Sequence, residues 1–493
     1  MTGAPTPAAD ADERAFARVR EALRDAEFTV ERIEASLGTN ELSSRRTDVA
    51  VHERRLGDDA FSALARLFLL GNAMAASVVD ALVASADLES LGLATSDGEW
   101  VRPCVRLVPH GDYLIASDLH PDAGETPFDF VPGIQAPSVT LAKLAVRRPV
   151  PRALDLGTGC GIQGLLAAKH SERVVATDVN ARALAFAAFN ARLNAVENVE
   201  LRLGGGFDPV VGERFDLIVS NPPYVISPDS DYAYRDSGLA GDALCRSLVG
   251  DAPRHLADGG FAHLLVSWSA ARDDDSAQPL RPWVEGNGCD SWLLHYKTED
   301  PLTHARGWLL PAAETDPAAF APALDRWVDA LARLGVEAVG YGAVVLRRRA
   351  ADATGWIATE RLPLDRLEPA GEHTLRVFAA LDLLHATTTL ADLLDERLAL
   401  VEQHRLAQVL CARDGGFAVE GQTLELTDGL RLQIGVDRHT ASLLPHLDGR
   451  PLHDALAAAA TTFELQPVER ERFAAAALPV VARLLELGFL VRA

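Results

Sequence analysis

A glycine-rich turn between a strand and a helix is the clearest candidate for ligand chemistry in this chain. In the segment Ala-Leu-Asp-Leu-Gly-Thr-Gly-Cys-Gly, an apolar run reaches Asp155, and three glycines at every second position then open a helix. Glycine permits positive φ and lets a ligand lie against bare backbone at a helix N-terminus. A second acid, Asp178, ends the next apolar run, where a carboxylate can accept both ribose hydroxyls. The pattern predicts a nucleotide-like ligand, and for this turn alone NAD(P) stays a rival.

A second motif, Asn-Pro-Pro-Tyr from Asn221 to Tyr224, follows the apolar run 215–220. Two consecutive prolines cannot continue a central strand, so the chain must turn at the carboxyl edge of the sheet. The Asn221 side-chain carbonyl and the Pro222 main-chain carbonyl can together accept both hydrogens of a planar NH2 group. Two such acceptors favour the pyramidal geometry that frees the delocalised lone pair of an amide or exocyclic amine. Tyr224 can lie flat against the π plane of that acceptor.

Together these motifs resemble those of class I S-adenosylmethionine-dependent methyltransferases that methylate amino groups, which carry (D/N/S)-P-P-(Y/F/W). Within the stretch from about Gln135 to Trp268, the Asn-Pro-Pro-Tyr-Val run and the following Gly-Leu-Ala-Gly look most like protein-(glutamine N5) methyltransferases that modify release factors. RNA guanine-N2 and adenine-N6 methylases share the same core. The resemblance implies that the acid matching Asp155 lies near the methionine amino group and that the acid matching Asp178 holds the ribose.

The resemblance also implies a set of site residues. Those expected to bind the cofactor are Asp155, Gly157, Thr158, Gly159, Gly161, Asp178, Val179, Phe207 and Asn221. Those expected to hold the acceptor nitrogen are Asn221, Pro222, Pro223 and Tyr224. Phe207 is expected either to stack on the adenine or to be an ordinary core or turn residue. No metal is required by this chemistry.

The segments where a substrate would enter depart from the release-factor enzymes. Residues 131–137 read Val-Pro-Gly-Ile-Gln-Ala-Pro in place of a Pro-Arg-Pro-Glu-Thr-like loop, and the loop 227–242 also differs. The departures leave the glutamine assignment open while methyl transfer stands. Candidate substrate contacts in these segments are Gln135, Tyr232, Tyr234 and Arg235.

Composition narrows the class of protein. The 493 residues include 47 Lys+Arg and 70 Asp+Glu, a formal net charge of −23, which argues against affinity from broad phosphate neutralisation. The five cysteines form no C-x-x-C pair, so neither a disulfide framework nor structural zinc is expected, and a reducing cytoplasm is the simplest compartment. No run reaches the ~18 apolar residues of a membrane span, and residues 1–14 lack the apolar core of a signal peptide.

The pattern of elements predicts an α/β fold, since strand-like and helical runs alternate from Ser138 to about Glu360. We expect a Rossmann-like, seven-stranded class I methyltransferase domain over residues 131–362. A disordered tail is expected at 1–10, and an N-terminal helical, winged-helix-like domain at 11–130. A C-terminal α+β, winged-helix-like domain is expected at 363–493.

The predicted function is N-methylation with S-adenosylmethionine as cofactor. A protein or peptide amide is the favoured acceptor because the chain is acidic and its core is similar to that of the release-factor enzymes. The alternatives are a base amine of RNA or DNA, a small molecule, and a regulatory protein that binds the cofactor without turnover. A second copy of the chain is a further candidate partner, and no membrane partner is expected.

Overall fold

The computed structural model describes residues 6–39, 46–119, 126–229, 233–236, 238–350, 355–413 and 415–493. These residues form two compact units. The first comprises Met1–Leu141 with Arg148–Ala353, and the second comprises Ala142–Arg147 with Thr354–Ala493. In the described residues, no helix is both long and apolar enough to cross a membrane.

The first unit begins with helices and short strands. The helices are α1 (Glu13–Asp25), α2 (Val30–Leu37), α3 (Arg46–Arg55), α4 (Ala60–Phe68), α5 (Ala76–Asp80) and α6 (Ser85–Ser90). The strands are β1 (Met74–Ala75), β2 (Ala94–Ser96), β3 (Trp100–Pro103), β4 (Val105–His110) and β5 (Tyr113–Asp118). Strands β1, β3 and β2 form one antiparallel sheet, and β4 pairs with β5 in the hairpin that His-Gly-Asp at 110–112 predicts.

The largest sheet has eight strands, and seven of them lie in the first unit and form its centre. These seven are β6 (Val150–Leu156), β7 (Ser171–Asp178), β8 (Val199–Leu203), β9 (Phe215–Ser220), β10 (Leu256–Ala270), β11 (Cys289–Glu299) and β12 (Ala338–Arg348). Their order across the sheet is β11-β12-β10-β9-β6-β7-β8. Strands β6 to β10 run parallel, while β12 is antiparallel to both β10 and β11. This α/β core confirms the predicted alternation.

Helices connect these strands, as parallel pairing requires. They are α7 (Ala136–Leu144), α8 (Ile162–Ala168), α9 (Ala181–Leu193), α10 (Ala243–Asp251), α11 (Arg281–Val284), α12 (Pro301–Thr315) and α13 (Pro317–Arg333). The parallel strands are nearly continuous apolar runs, with β6 and β9 buried over their last four residues. Such runs are typical of strands covered on both faces. The carboxyl ends of β6, β7 and β9 therefore meet at one edge.

An asparagine of α9 and the asparagine that caps its C-terminus hold the hairpin strand β5 against the sheet domain. The Asn190 amide accepts from the Ala116 N–H at 2.8 Å and donates to the carbonyls of Ala116 at 2.9 Å and Cys160 at 2.8 Å. The Asn194 amide makes the matching pair of bonds with Leu114, at 2.8 and 2.7 Å. These bonds satisfy the outer edge of β5, and they group residues 11–130 with the sheet in one compact unit.

The N-terminal segment also differs from its expected disorder. Pro7 is buried, and the Ala8 N–H donates to the Leu91 carbonyl at 3.0 Å. Arg192 donates to the Ala9 carbonyl at 2.5 Å. Residues 6–10 therefore pack on the domain, which corrects the predicted tail there; residues 1–5 lie outside the described residues.

The second unit contains helices and three-stranded sheets. Its helices are α14 (Gly371–Ala386), α15 (Arg438–Leu443), α16 (Leu452–Thr462) and α17 (Pro467–Glu486). Its strands are β13 (Ile357–Arg361), β14 (Arg397–Leu400), β15 (His404–Arg413), β16 (Gly416–Leu426), β17 (Gln433–Gly435), β18 (Asp448–Pro451) and β19 (Leu490–Arg492). Two sheets have the orders β18-β14-β19 and β15-β16-β17. Residues 355–361 cluster here, before the predicted boundary at 362, because Trp356 packs on Phe378.

Asn190→Ala should lower the free energy of unfolding by about 2–4 kcal/mol, because it leaves buried groups of Ala116 and Cys160 without partners. Urea denaturation followed by circular dichroism measures this loss. The matched variant Asn194→Ala, whose bonds are only partly buried, should cost less. Equal stability of Asn190→Ala and the wild type would contradict this role.

Candidate active site

The glycine turn after β6 forms an open cradle at the carboxyl edge of the sheet. Gly157 and Gly159 adopt φ of 75° and 53°, which L side chains rarely adopt. A Cβ placed on either glycine would meet nothing within 4 Å, so the space above the turn is free. Gly161, with φ of 90°, lies under the turn, where a Cβ would come within 3.0 Å of Ala187. The first two glycines therefore expose backbone to a ligand, and the third allows close packing of α9.

Asp155 lies at the base of this cradle and is only 1% exposed. Its Oδ2 accepts from the Thr158 hydroxyl at 2.6 Å and from the Gly164 N–H at 2.7 Å. Burial raises the pKa of Asp155 to about 7, with a smaller contribution from the nearby Asp178, while these two hydrogen bonds oppose the shift. A carboxyl group with a pKa near neutral pH can ionise and stabilise a cationic group placed beside it. Thr158 is itself buried, so it orients Asp155.

Asp178 ends β7 and receives two backbone hydrogen bonds from the cradle and from the following turn. The Gly159 N–H donates to Oδ2 at 2.9 Å, and the Asn180 N–H donates to Oδ1 at 2.8 Å. Burial raises the pKa of Asp178, and the backbone donors oppose that shift. The next side chain, Val179, is 63% exposed although it is apolar. An exposed apolar residue beside a fixed carboxylate suits a ligand with a polar sugar and a flat apolar ring.

Phe207 is buried, with 7% exposure, and its ring stacks on His255 at 4.5 Å between centroids and 7° between planes. The sequence left open an adenine-stacking role and a core role. The contact with His255 is what a core residue makes, so it favours the second interpretation.

The Asn-Pro-Pro-Tyr turn follows β9 directly, next to the cradle, because β9 pairs with β6 up to Ser220 and Leu156. Asn221 is half-buried, and its Nδ2 approaches the Ser138 hydroxyl at 3.4 Å. Because Nδ2 faces Ser138, the Oδ1 atom of Asn221 faces away from Ser138. The Ser138 carbonyl in turn accepts from Gln163 at 2.7 Å, which ties the start of α7 to α8. In the described part of the chain, the Pro222 carbonyl oxygen accepts no backbone hydrogen bond.

The backbone of Tyr224 is hydrogen-bonded to a side chain of the sheet. Its carbonyl accepts from the Ser267 hydroxyl on β10. Burial raises the pKa of Tyr224 well above its usual value, and a hydrogen bond with the Tyr296 phenol acts in the same direction. The phenol therefore stays protonated at neutral pH and cannot act as a general base. Pro223 is half-buried in the same turn.

Two further loops meet beside the acceptor turn. The Ala233 N–H donates to the Phe128 carbonyl at 3.0 Å, and the rings of Phe130 and Tyr234 lie 5.9 Å apart. Phe128 is 62% exposed, and Tyr234 is also exposed. The predicted substrate residue Tyr234 therefore lies on the surface, where a partner can contact it.

Arg235 is placed differently from the predicted substrate contact. It is only 7% exposed, and its guanidinium donates to both oxygens of Asp236 at 2.8 and 2.9 Å. It also lies over the Trp327 ring at 5.4 Å and 3.8 Å from Asp229. These contacts correct the expectation: Arg235 holds the loop in place from inside. Gln135 is exposed at the start of α7, and Tyr232 lies outside the described residues.

Three parts of the sequence match models of known protein families. Residues 136–271 match the family model described as Methyltransferase small domain. Residues 25–104 and 376–492 match families described as Domain of unknown function (DUF7059) and Domain of unknown function (DUF7782). Residues 136–271, which contain the glycine cradle and the acceptor turn, are therefore similar to methyltransferase small domains.

Two relatives and one solved structure show how far the similarity extends. Release factor glutamine methyltransferase of Xylella fastidiosa is 37% identical over 150 residues, 27% of this chain and 54% of that protein. Ribosomal protein uL3 glutamine methyltransferase of Xanthomonas campestris is 40% identical over 127 residues, 23% and 41% of the two chains. A methyltransferase structure from Pyrococcus furiosus has a TM-score of 0.28 and 19% identity, covering 48% of this chain and 90% of that one. The chain thus spans about half the length of these curated relatives.

The residues of the cradle fit S-adenosylmethionine, the cofactor of this family. The backbone at Gly157 and Gly159 is open to a ligand, since a Cβ on either glycine would meet no atom within 4 Å. The Asp155 carboxylate would suit the amino group of the cofactor, the Asp178 carboxylate would suit its ribose, and the exposed Val179 side chain would suit its adenine.

Sequence reasoning missed two parts of this site. Ser138, which orients the Asn221 amide, lies 83 positions away in the chain and belongs to no recognisable motif. The helices α12 and α13 contact the segment after Tyr224 through Trp327, whose indole N–H donates to Asp229 at 2.6 Å. The sequence predicts a long helix at 322–334, but nothing in its pattern links that helix to the acceptor turn.

Protonation of Asp155 should make the stability of the cofactor-free protein depend on pH. Its pKa rises from 3.8 in the unfolded chain to about 7 in the folded one, so the folded state holds an extra proton between these values. The contribution to stability is therefore largest at low pH and is lost as pH rises through about 7. Between about pH 5 and about pH 7 the wild type should lose about 2 kcal/mol more than Asp155→Asn, measured by urea denaturation. Identical pH dependence of the two proteins would contradict the buried carboxyl.

Asp178→Ala should weaken cofactor binding by about tenfold or more, since it removes a charge-assisted acceptor and frees the Gly159 N–H. Titration calorimetry with S-adenosylhomocysteine measures the change. The control is Asp216→Ala on β9, whose carboxylate accepts from the Arg152 N–H at 3.0 Å near the opposite edge of the sheet. Unchanged affinity in Asp178→Ala, or an equal loss in both variants, would contradict the assignment.

Proposed function

We propose that this protein transfers a methyl group from S-adenosylmethionine to the side-chain amide nitrogen of a glutamine in a protein substrate. The observation that carries the proposal is the acceptor turn, where Asn221 and Pro222 present carbonyl oxygens next to the glycine cradle. Relatives named for release factor and ribosomal protein glutamine methylation support this substrate class.

The cofactor supplies an electrophilic methyl group when it is bound. The chain itself acts by orienting the acceptor. Asn221 Oδ1 and the Pro222 carbonyl each accept one N–H of the primary amide, which turns the nitrogen lone pair out of conjugation with its carbonyl. The rest of the rate enhancement is positioning, because the reacting atoms are held in line.

The protonation state of the site favours a neutral amide over a charged amine. A lysine side chain would have to lose a proton before it could react, and the phenol of Tyr224 is kept protonated by burial, which raises its pKa. The nearby carboxylate of Asp229 is occupied by the indole of Trp327 and, at 3.0 Å, by Arg326. An amide needs no general base before the transfer. As the new N–C bond forms and the methyl–sulfur bond breaks, the nitrogen becomes acidic, and its proton passes to water.

The flanking regions complete the proposal. We propose that the N-terminal helices with their small sheet, and the second unit, adopt winged-helix-like folds and dock the protein substrate. All five cysteines are free thiols, which is consistent with work in a reducing cytoplasm.

Asn221→Ala should abolish methyl transfer, with a loss of about 10²-fold or more, because one of two acceptors for the NH2 group disappears. Cofactor affinity should change little. The purified protein is given methyl-tritiated S-adenosylmethionine and total extract from a strain that lacks the gene, and incorporated label is counted. The matched control Asn198→Ala loses two side-chain bonds before β8, at 2.8 and 3.1 Å, and should methylate at the wild-type rate.

Separation of the same reaction into protein, nucleic-acid and small-molecule fractions tests the substrate class. Label in the protein fraction that depends on Asn221 supports the proposal. Label confined to nucleic acid or to small molecules contradicts it, and cofactor binding without any transfer would identify a regulatory protein.

A further inference from the structure

The antiparallel strands β11 and β12 are joined by two helices, α12 and α13, of 15 and 17 residues. A two-residue turn can join such a pair, so closure of the sheet does not require this helical insertion. Its inner face packs on the segment that follows the acceptor turn. Buried side chains of Val225, Ala305, Leu309 and Trp327 form one apolar cluster there.

A buried histidine in α12 makes the polar contact of this interface that lies nearest in sequence to the acceptor turn. His304 Nε2 lies 2.8 Å from the Ile226 carbonyl oxygen, two residues after Tyr224. Because a carbonyl only accepts, this nitrogen carries the proton, and Nδ1 accepts from the Tyr341 hydroxyl on β12. The indole N–H of Trp308 donates to the same hydroxyl at 3.2 Å. One neutral tautomer of His304 thus satisfies the Ile226 carbonyl and the Tyr341 hydroxyl.

The same strands reach the acceptor turn by a second route. Tyr296 on β11 lies close enough to the Tyr224 phenol to raise its pKa, and the rings of Tyr296 and Tyr341 lie 6.2 Å apart. The segment after the turn is thus held by a β-bridge between Val225 and Asp236 and by side chains of β10 and α12. Since Pro222 and Pro223 cannot join a strand ladder, such ties decide where the turn sits.

We infer that His304 is a positioning residue: its bond to the Ile226 carbonyl, anchored by Tyr341, fixes the turn Asn221–Tyr224 relative to the cofactor cradle. This inference rests on the proposed function for its effect on catalysis. Its structural part, that the turn is mobile without this bond, stands independently.

The test compares His304→Ala with His304→Gln in the full-length protein. Glutamine offers one N–H donor and one carbonyl acceptor, so it can restore both bonds. In His304→Ala, amide hydrogen exchange of the peptide covering residues 221–229 should be about tenfold faster, and His304→Gln should be close to the wild type. Exchange is followed by mass spectrometry with S-adenosylhomocysteine present and again without it.

A kinetic readout with tritiated cofactor and total protein from a strain lacking the gene accompanies the exchange measurement. His304→Ala should lower kcat about tenfold or more, with the KM for S-adenosylmethionine unchanged. The milder variant Tyr341→Phe removes the hydroxyl that Nδ1 accepts from, and it should give an intermediate loss. It keeps the test available if His304→Ala folds poorly.

The matched control is His373→Gln in the second unit. His373 is equally buried, its Nε2 lies 2.9 Å from the Leu487 carbonyl, and its Nδ1 accepts from the Leu430 N–H at 3.0 Å. This variant should leave exchange of residues 221–229 unchanged. The inference would be overturned if that peptide exchanged as slowly in His304→Ala as in the wild type. A rise in KM for the cofactor in place of a fall in kcat would also overturn it. If no variant or wild type transfers methyl groups but exchange rises as expected, the proposed function fails and the positioning role stands.

Discussion

Two consecutive prolines at the end of β9 impose the constraint on which the site depends. Neither has an N–H, so the chain leaves the sheet at Pro222 and Pro223, and the backbone there is not held by a strand ladder. The turn is fixed instead by side chains from other elements. Ser138 orients the Asn221 amide, and Ser267 holds the Tyr224 carbonyl. An incoming amide needs a carbonyl oxygen that accepts no hydrogen bond within the sheet, such as that of Pro222. Because the sheet does not hold this part of the backbone, side chains from other elements must hold it.

The glycine cradle lies at the same edge of the sheet, and its position there determines the charge state of its two carboxyl groups. The carboxyl ends of parallel strands bring Asp155 and Asp178 together, where burial makes both carboxyl groups costlier to ionise and raises the pKa of each, and the charge of Asp178 adds to the rise at Asp155. Backbone and hydroxyl donors at 2.6 to 2.9 Å offset part of that cost. The pair is thus suited to a ligand that brings a positive charge and hydroxyl groups into the cradle.

Much of this could be read from sequence, because local chemistry determines it. Apolar runs of five to eight residues predict the parallel strands, and the glycines at 157 and 159 and the prolines at 222 and 223 each have one conformational explanation. The position of Ser138 could not be predicted, since it depends on how α7 packs 83 residues before Asn221. The sequence predicts Arg235 as a substrate contact because it lies in the loop after the acceptor motif; its burial depends on packing over Trp327, which only the fold brings to it.

The role of His304 also could not be predicted from the sequence. A single histidine in a helix carries no sequence signature, and its two bonds involve residues 37 and 78 positions away. The strand β15 is a further case, because most of its residues are exposed and no alternation of apolar and polar side chains marks it. Elements that bury one face are predictable, and elements that depend on distant partners are not.

The central claim is that the acceptor turn selects an amide nitrogen. The most direct measurement is to methylate extract protein with trideuteromethyl-labelled S-adenosylmethionine, digest it completely with proteases, and identify the labelled amino acid by mass spectrometry. The account predicts N5-methylglutamine, absent when Asn221→Ala replaces the wild type. Label on lysine, arginine or a carboxylate side chain would contradict it.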